Sequence, residues 1–284
     1  MKPPAFDYAS PATIEEAVAL LAARSGNAKI ISGGQSLMPM LAFRLAAPEL
    51  LVDLKRLQGL DRIIIADDGV RLGAKVRWCE IEHDQKLKAA HPLLVEAVRH
   101  VAHYQIRKRG TVGGSLAHAD PAAEMPGIAI TCDAELTIVG PKGKRIDKAS
   151  DFFKGSLTTS LAPDEILTEI KLPPWPVGRR CAFLEFTLRR GDFAIAGVAL
   201  YYDLVGGKIA GIHIGVIGVG DRPLRLHAVE AVLNGRELDD LATEDAAKVA
   251  HESIDPPSDI HAPADYRRAL LSTLLVRALR QSVA

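Results

Sequence analysis

Two glycine-paired segments, Ser32-Gly33-Gly34-Gln35-Ser36 and Thr111-Val112-Gly113-Gly114-Ser115, carry the most legible chemistry in this chain. Adjacent glycines let a backbone reach positive φ and approach a ligand closely, so successive N–H groups can converge on phosphate oxygens. The flanking Ser and Thr hydroxyls add further donors. A single glycine pair is the ordinary mark of a tight turn. Two of them, each set among hydroxyl residues, read as the halves of a cradle for a dinucleotide.

The surrounding pattern supplies elements to hold these halves. Thr13-Ile14-Glu15-Glu16 is a capping-box signature opening an amphipathic helix through about residue 24, stopped by Ser25-Gly26-Asn27. A strand at 29–31 then leads into the first glycine segment, a short helix is expected over 36–45, and a buried strand over 50–54. Strands at 63–65 and 70–74 flank Asp67-Asp68-Gly69 as a hairpin. Helices follow near 78–83 and 93–101, the basic run Ile106-Arg107-Lys108-Arg109-Gly110 leads into the second segment, and a helix at 122–130 and strands at 135–139 and 165–172 come after it.

Pro173-Pro174-Trp175-Pro176 is the strongest linker signal, because consecutive prolines cannot join a ladder. It divides the chain into 1–174, with subdomains of about 1–57 and 58–174, and 175–284. The second part reads as strands at 181–188, 194–204 and 208–216, then helices at 224–233, 244–253 and 264–282, an α+β arrangement. In the last helix Tyr266, Leu270, Leu271, Leu274, Leu275 and Ala278 form the expected core stripe, with Arg267, Arg268, Arg277 and Arg280 largely off it.

Composition removes several classes of function. The 284 residues balance 35 Lys+Arg against 35 Asp+Glu, which argues against a nucleic-acid or membrane surface driven by bulk charge. The three cysteines, Cys79, Cys132 and Cys181, form no C-x-x-C pair and lie near no histidine at zinc spacing, so neither a metal site nor an iron–sulfur cluster is expected on this chain. No apolar run reaches membrane-spanning length and the first residues lack a leader pattern, so the expectation is a soluble, cytoplasmic protein without membrane insertion.

After the second glycine segment comes Leu116-Ala117-His118-Ala119-Asp120-Pro121-Ala122-Ala123-Glu124, and later Arg190-Gly191-Asp192-Phe193-Ala194-Ile195-Ala196-Gly197. With Ser32–Ser36 and the 106–115 stretch, the whole chain resembles the FAD-binding medium subunit of molybdenum hydroxylases, the family of carbon monoxide dehydrogenase and xanthine dehydrogenase. The resemblance implies a vanillyl-alcohol-oxidase-type FAD-binding domain in two subdomains, then a C-terminal domain with a three-stranded sheet and helices. It implies that Ile31, Ser32, Gly33, Gly34, Gln35, Ser36, Leu37 and Met38, with Thr111, Val112, Gly113, Gly114 and Ser115, hold the FAD pyrophosphate.

It also places Glu124 where relatives often have a cofactor-contacting Asp, and makes Leu161 a backbone contact to the flavin ring. Glu185 falls where several relatives carry Lys, a departure that alters how charge on a reduced flavin would be stabilised. Gln35 stands where related oxidases attach FAD through His, so the flavin is expected to be noncovalent. No catalytic acid or base is assigned.

Further implications are partners: a small subunit with two [2Fe-2S] clusters and a large subunit with the molybdenum cofactor, in a dimer of heterotrimers. Competing readings are a self-contained flavin oxidase or dehydrogenase and a nucleotide-binding regulatory module. Gly215-Val216-Ile217-Gly218-Val219-Gly220 runs G-x-x-G-x-G and reads as a glycine-rich turn rather than a dinucleotide fingerprint. His118 is expected to be structural, Arg107–Arg109 either attract an anion or form a solvated face, and Phe152, Phe153 and Phe193 either pack in the core or shield the flavin.

Overall fold

A computed structural model describes residues 2–24 and 26–283; Ser25, expected in the stop of the first helix, lies outside the described residues. The first layer is a three-stranded parallel sheet in the order Asp7–Ala9, Leu50–Asp53, Ala28–Ile31. Parallel neighbours need a crossover, and the helix Ile14–Ala22 provides it, burying Ala17, Val18 and Leu21 against the sheet. Thr13 Oγ1 accepts from the Glu16 amide as the capping pattern predicts. The Glu16 carboxylate, however, reaches back to the Ala12 amide, one residue beyond the cap. The Asp7–Ala9 strand has no sequence signature of its own; it exists because Leu50–Asp53 offers it an edge.

The middle layer is a five-stranded antiparallel sheet ordered Ile63–Ala66, Gly69–Gly73, Ile166–Leu172, Glu135–Gly140, Gly143–Lys148. Between its second and third strands in the chain runs a series of short helices: Trp78–His83, Gln85–Ala90, Pro92–Val98, Tyr104–Arg107, Val112–His118 and Glu124–Thr131. The second glycine segment is therefore not a loop. Thr111 is an N-cap whose Oγ1 accepts from the Gly114 amide, and both glycines occupy the first helical turn.

The last layer is an antiparallel sheet of Arg180–Phe186, Ala196–Val205 and Lys208–Ile217, joined by a two-residue strand, Leu224–Arg225. Both faces are covered. Phe183, Ala199 and Tyr201 pack on the middle core, whereas Ala182, Val198, Leu200 and Tyr202 pack on the helices His227–Leu233, Asp240–Glu252 and Ala264–Gln281. A strand buried on both sides has no polar alternation, which is why residues 196–202 read as one apolar run. The Glu124–Thr131 helix, buried along its whole length, fills the seam between the middle layer and this sheet.

The Ala264–Gln281 helix corrects its expected stripe. Leu271, Leu274, Leu275 and Ala278 are core, but Tyr266 is 46% exposed and Arg267 is 4% exposed. The Arg267 guanidinium donates to the carbonyls of Ile195 and Gly218, both at 2.7 Å, and to Asp259 at 2.7 Å. Helical periodicity sees an arginine as polar; it does not see the two bare carbonyls waiting for it.

Candidate functional site

The two glycine segments, 79 positions apart, meet. Thr111 Oγ1 donates to Ser32 Oγ at 3.2 Å. A Cβ placed on Gly33 would lie 2.4 Å from the Arg109 carbonyl oxygen and 2.9 Å from Gly110 Cα, so only glycine allows the first segment to lie against the chain entering the second. Gly34 has a φ of +70°, the one member of the four with a backbone that disfavours a side chain. Gly113 serves contact: its Cβ would be 2.4 Å from that of Ala74.

The amides divide unequally. Those of Gly33, Gly34, Gln35 and Ser36 donate to no group among the described residues. In the second segment Val112 N–H donates to Val76 at 2.9 Å, Gly113 to Ala74 at 2.9 Å, Gly114 to Thr111 Oγ1 at 3.2 Å and Ser115 to the Thr111 carbonyl at 3.0 Å. The expected symmetry of two amide cradles is corrected. The first segment offers free main-chain donors; the second is locked into the fold and offers hydroxyls and a glycine surface.

Beside this junction lies a cleft of about 470 Å³ lined by Ser32, Gly33, Lys55, Lys75, Arg77, Gln105, Lys108, Arg109 and Thr111. Its size suits a ligand pocket. Lys75 is already committed, donating to the carbonyls of Lys55 and Leu57 at 3.1 and 2.7 Å. Arg77, Lys108 and Arg109 have no carboxylate partner among the described residues, while Arg107 of the same basic run pairs with Glu82 at 3.0 Å and donates to the Val101 and Ala102 carbonyls. The basic run thus splits: Arg107 is structural, and Lys108 and Arg109 face the cleft. Unpaired cations over free amides are the donor set a diphosphate needs, so the residues fit the pyrophosphate of a dinucleotide.

Other expected contacts sit elsewhere. Ile31 and Met38 pack around Gly34, Leu37 opens the helix Leu37–Ala42 behind Ser36, and the Gln35 side chain donates to the Gly33 carbonyl at 3.0 Å. Val112 is fully buried, with Ser115 half-buried on the following turn. Leu161 lies outside the cleft lining, in a turn clamped by Arg145, which donates to Glu165 at 2.8 and 2.7 Å and to the Ser160 carbonyl at 3.0 Å. Phe152 and Phe153 are core, whereas Phe193 is 58% exposed. Gly218 turns the chain at φ +73°, but Gly215 is in a strand against Thr131. His118 is half-buried in the last turn of the Val112–His118 helix.

Glu124 and Glu185 also lie outside the cleft lining; Gly127, one turn along from Glu124, and Gly197, the register partner of Glu185, both stand against Ile217, which a Cβ on either would strike. Burial, then the Glu185 carboxylate, push the Glu124 carboxyl up to about 8. Between the ordinary glutamate range and that value the folded protein keeps a proton that the unfolded chain releases, so stability falls as pH rises through the window. Glu124→Gln, neutral throughout, is expected to remove up to about 4 kcal/mol of that fall. Parallel melts near pH 5 and near pH 9 check it; the same loss in both proteins would refute the assignment.

The sequence did not single out Lys55, Lys75, Arg77 or Gln105. They come from three stretches of chain, Lys55, Lys75–Arg77 and Gln105, and Arg77 is tied to the site by an isolated bridge to Thr111.

Residues 4–175 match the FAD binding domain in molybdopterin dehydrogenase, and residues 182–282 the CO dehydrogenase flavoprotein C-terminal domain. The chain is 40% identical to the nicotine 6-hydroxylase medium subunit of Paenarthrobacter nicotinovorans, over 98% of each. It is 35% identical to the carbon monoxide dehydrogenase medium chain of Afipia carboxidovorans, over 100% of this chain and 99% of that one. Among solved structures, a carbon monoxide dehydrogenase from Hydrogenophaga pseudoflava that lacks the Mo-pyranopterin moiety superimposes with a TM-score of 0.97 at 35% identity, covering 100% of this chain and 99% of that one.

Proposed function

The chain belongs to the FAD-binding medium subunits of molybdenum-containing dehydrogenases and hydroxylases, and from that premise we propose that it carries electrons from iron–sulfur clusters on a partner chain to an external acceptor. It is an oxidoreductase subunit whose cofactor is FAD. The observation that carries the reading is the junction of free Gly33–Ser36 amides with the cleft cations Arg77, Lys108 and Arg109. When bound, FAD supplies one- and two-electron chemistry. The chain itself supplies grip: amides and guanidinium groups oppose the diphosphate, and Thr111 ties the two segments at a fixed separation.

The proposed partners are a small [2Fe-2S] subunit and a large subunit with the molybdenum cofactor, assembled as a dimer of heterotrimers in the cytoplasm. The names of the relatives, which are medium subunits and medium chains, support such a division of labour. Among the described residues no helix is long and apolar enough to cross a membrane. We place the division between the FAD-binding part and the C-terminal part at 174/175, with subdomains meeting near 57. The two parts share one of three hydrophobic cores, with Phe183, Ala199, Tyr201 and Ile217 of the C-terminal part packed into the core of the middle sheet.

The flavin is expected to be noncovalent, because Gln35 offers no nucleophile and its amide is spent on Gly33. Acid precipitation of the purified complex should leave the yellow colour in the supernatant; colour in the pellet contradicts this. The complex should contain molybdenum, iron and FAD in fixed ratio, and the isolated chain should pass electrons to dyes without oxidising a substrate of its own. Substrate turnover by the isolated chain would instead make it a self-contained flavin oxidase or dehydrogenase.

A further inference from the structure

The cleft draws its cations from two layers, and they are unevenly shared. Lys75, Arg77, Lys108 and Arg109 belong to segments around the middle sheet. Among the described residues that line the cleft, Lys55 is the one cation from the first layer, in the single turn Leu54–Arg56 that follows the Leu50–Asp53 strand. The same layer carries the unpaired Gly33–Ser36 amides. The function proposed above gives Lys55 no task.

The Lys55 side chain is 60% exposed, yet the residue is pinned from three directions. Its amide donates to Asp53 Oδ1 at 2.8 Å, its carbonyl accepts from Lys75 Nζ at 3.1 Å, and its ammonium donates to the Tyr8 hydroxyl at 2.5 Å. Tyr8 can accept there because its own proton goes to Asp53 Oδ2, also at 2.5 Å. The ammonium stands 5.0 Å from the centre of the Tyr8 ring as well. Asp53 Oδ2 is 3.7 Å from Lys55 Nζ, beyond hydrogen-bond reach. An ammonium has three donors; Tyr8 takes one and leaves the others for a ligand. A loose lysine loses rotamer entropy when it grips an anion, and this one is ordered beforehand.

We propose that Lys55 is the first layer's half of an anion clasp: with the Gly33–Ser36 amides it holds a diphosphate whose other charges are met by Arg77, Lys108 and Arg109 of the middle layer. Tyr8 is a positioning residue that acts through Lys55. That the diphosphate is the one in FAD rests on the function proposed above. An empty cleft gathers like charges from two layers, and a bound diphosphate removes that repulsion and joins them. The clasp therefore takes inorganic pyrophosphate as well, with no flavin attached. It also gives the Asp7–Ala9 strand, which has no sequence signature, a purpose: it delivers Tyr8 to Lys55.

Titration calorimetry on the full chain freed of FAD tests the clasp, with inorganic pyrophosphate as the probe. Pyrophosphate is expected to bind and to be displaced by FAD. Lys55→Met should weaken pyrophosphate and FAD alike by about tenfold, the scale of one hydrogen bond to a charged group. Tyr8→Phe, which removes only the hydroxyl, should weaken both by about threefold in the parent and add nothing in Lys55→Met, because the two act as a unit. Pyrophosphate affinity unchanged in Lys55→Met, or pyrophosphate that stays bound beside FAD, overturns the clasp. A Tyr8→Phe effect of equal size in both backgrounds overturns the positioning role. A chain that holds pyrophosphate through Lys55 yet takes up no FAD would instead overturn the proposed function and leave the clasp standing.

Discussion

Gly33→Ala is expected to strip the protein of its flavin. The added methyl carbon would sit 2.4 Å from the Arg109 carbonyl oxygen, 2.9 Å from Gly110 Cα and 3.0 Å from the Arg109 carbonyl carbon. All three are main-chain atoms, so no side chain can swing aside. The first segment must retreat from the second, carrying its free amides away from Arg109 and the other cleft cations. Overpacking of this kind costs about 3 kcal/mol, which, if it falls on the binding geometry, is roughly 100-fold in affinity for FAD.

Two neighbouring substitutions separate this steric argument from a general intolerance of change. A Cβ on Gly34 meets only the ends of Ile31 and Met38, at 3.3 and 3.4 Å, and strains the backbone at φ +70°. One on Gly114 meets Thr111 Oγ1 alone, at 2.8 Å, and disturbs a cap. Both should retain more FAD than Gly33→Ala. Flavin absorbance after gel filtration, with the dissociation constant from fluorescence, ranks the three. Equal retention by Gly33→Ala and the parent would remove the junction as the binding determinant.

Arg267→Met should lower stability more than any surface substitution. Its guanidinium serves two main-chain carbonyls, those of Ile195 and Gly218, and the Asp259 carboxylate, all at 2.7 Å, from a side chain only 5% exposed. Methionine fills much of the same volume but leaves the carbonyls without a donor. The expected loss is about 3 kcal/mol, or roughly 10 °C in melting temperature. Asp259 is largely open to water and contributes little of this, so Asp259→Asn should be much milder. Arg267→Lys should fall between, because an ammonium lacks the planar fork that reaches both sides. A melting temperature unchanged in Arg267→Met would mean that water replaces the guanidinium.

Much of the fold was legible because its signals are local. The Thr13 cap, the hairpin around Asp67-Asp68, the proline run after Leu172 and the apolar run at 196–202 each encode their element within a few residues. Where the reading missed, the cause lay in contacts between remote segments. Residues 111–115 read as a loop because adjacent glycines disfavour helix, yet the Thr111 cap and the Val76 and Ala74 carbonyls hold them helical. Arg267 read as a solvent-side residue because periodicity weighs polarity and not unmet hydrogen bonds.

By itself the sequence determined which chemistry was available: glycines that permit close approach, hydroxyls and cations that suit a diphosphate, and too few cysteines for a cluster of its own. The tertiary structure decided which of those groups are free to act. It spent the amides of Val112–Ser115 on the fold and left those of Gly33–Ser36 unpaired, committed Arg107 to Glu82 and turned Lys108 and Arg109 to the cleft, and buried Glu124. The physical reason is that a donor, a cation or an acid acts only with what the fold has not already satisfied, and satisfaction depends on partners far away in the chain.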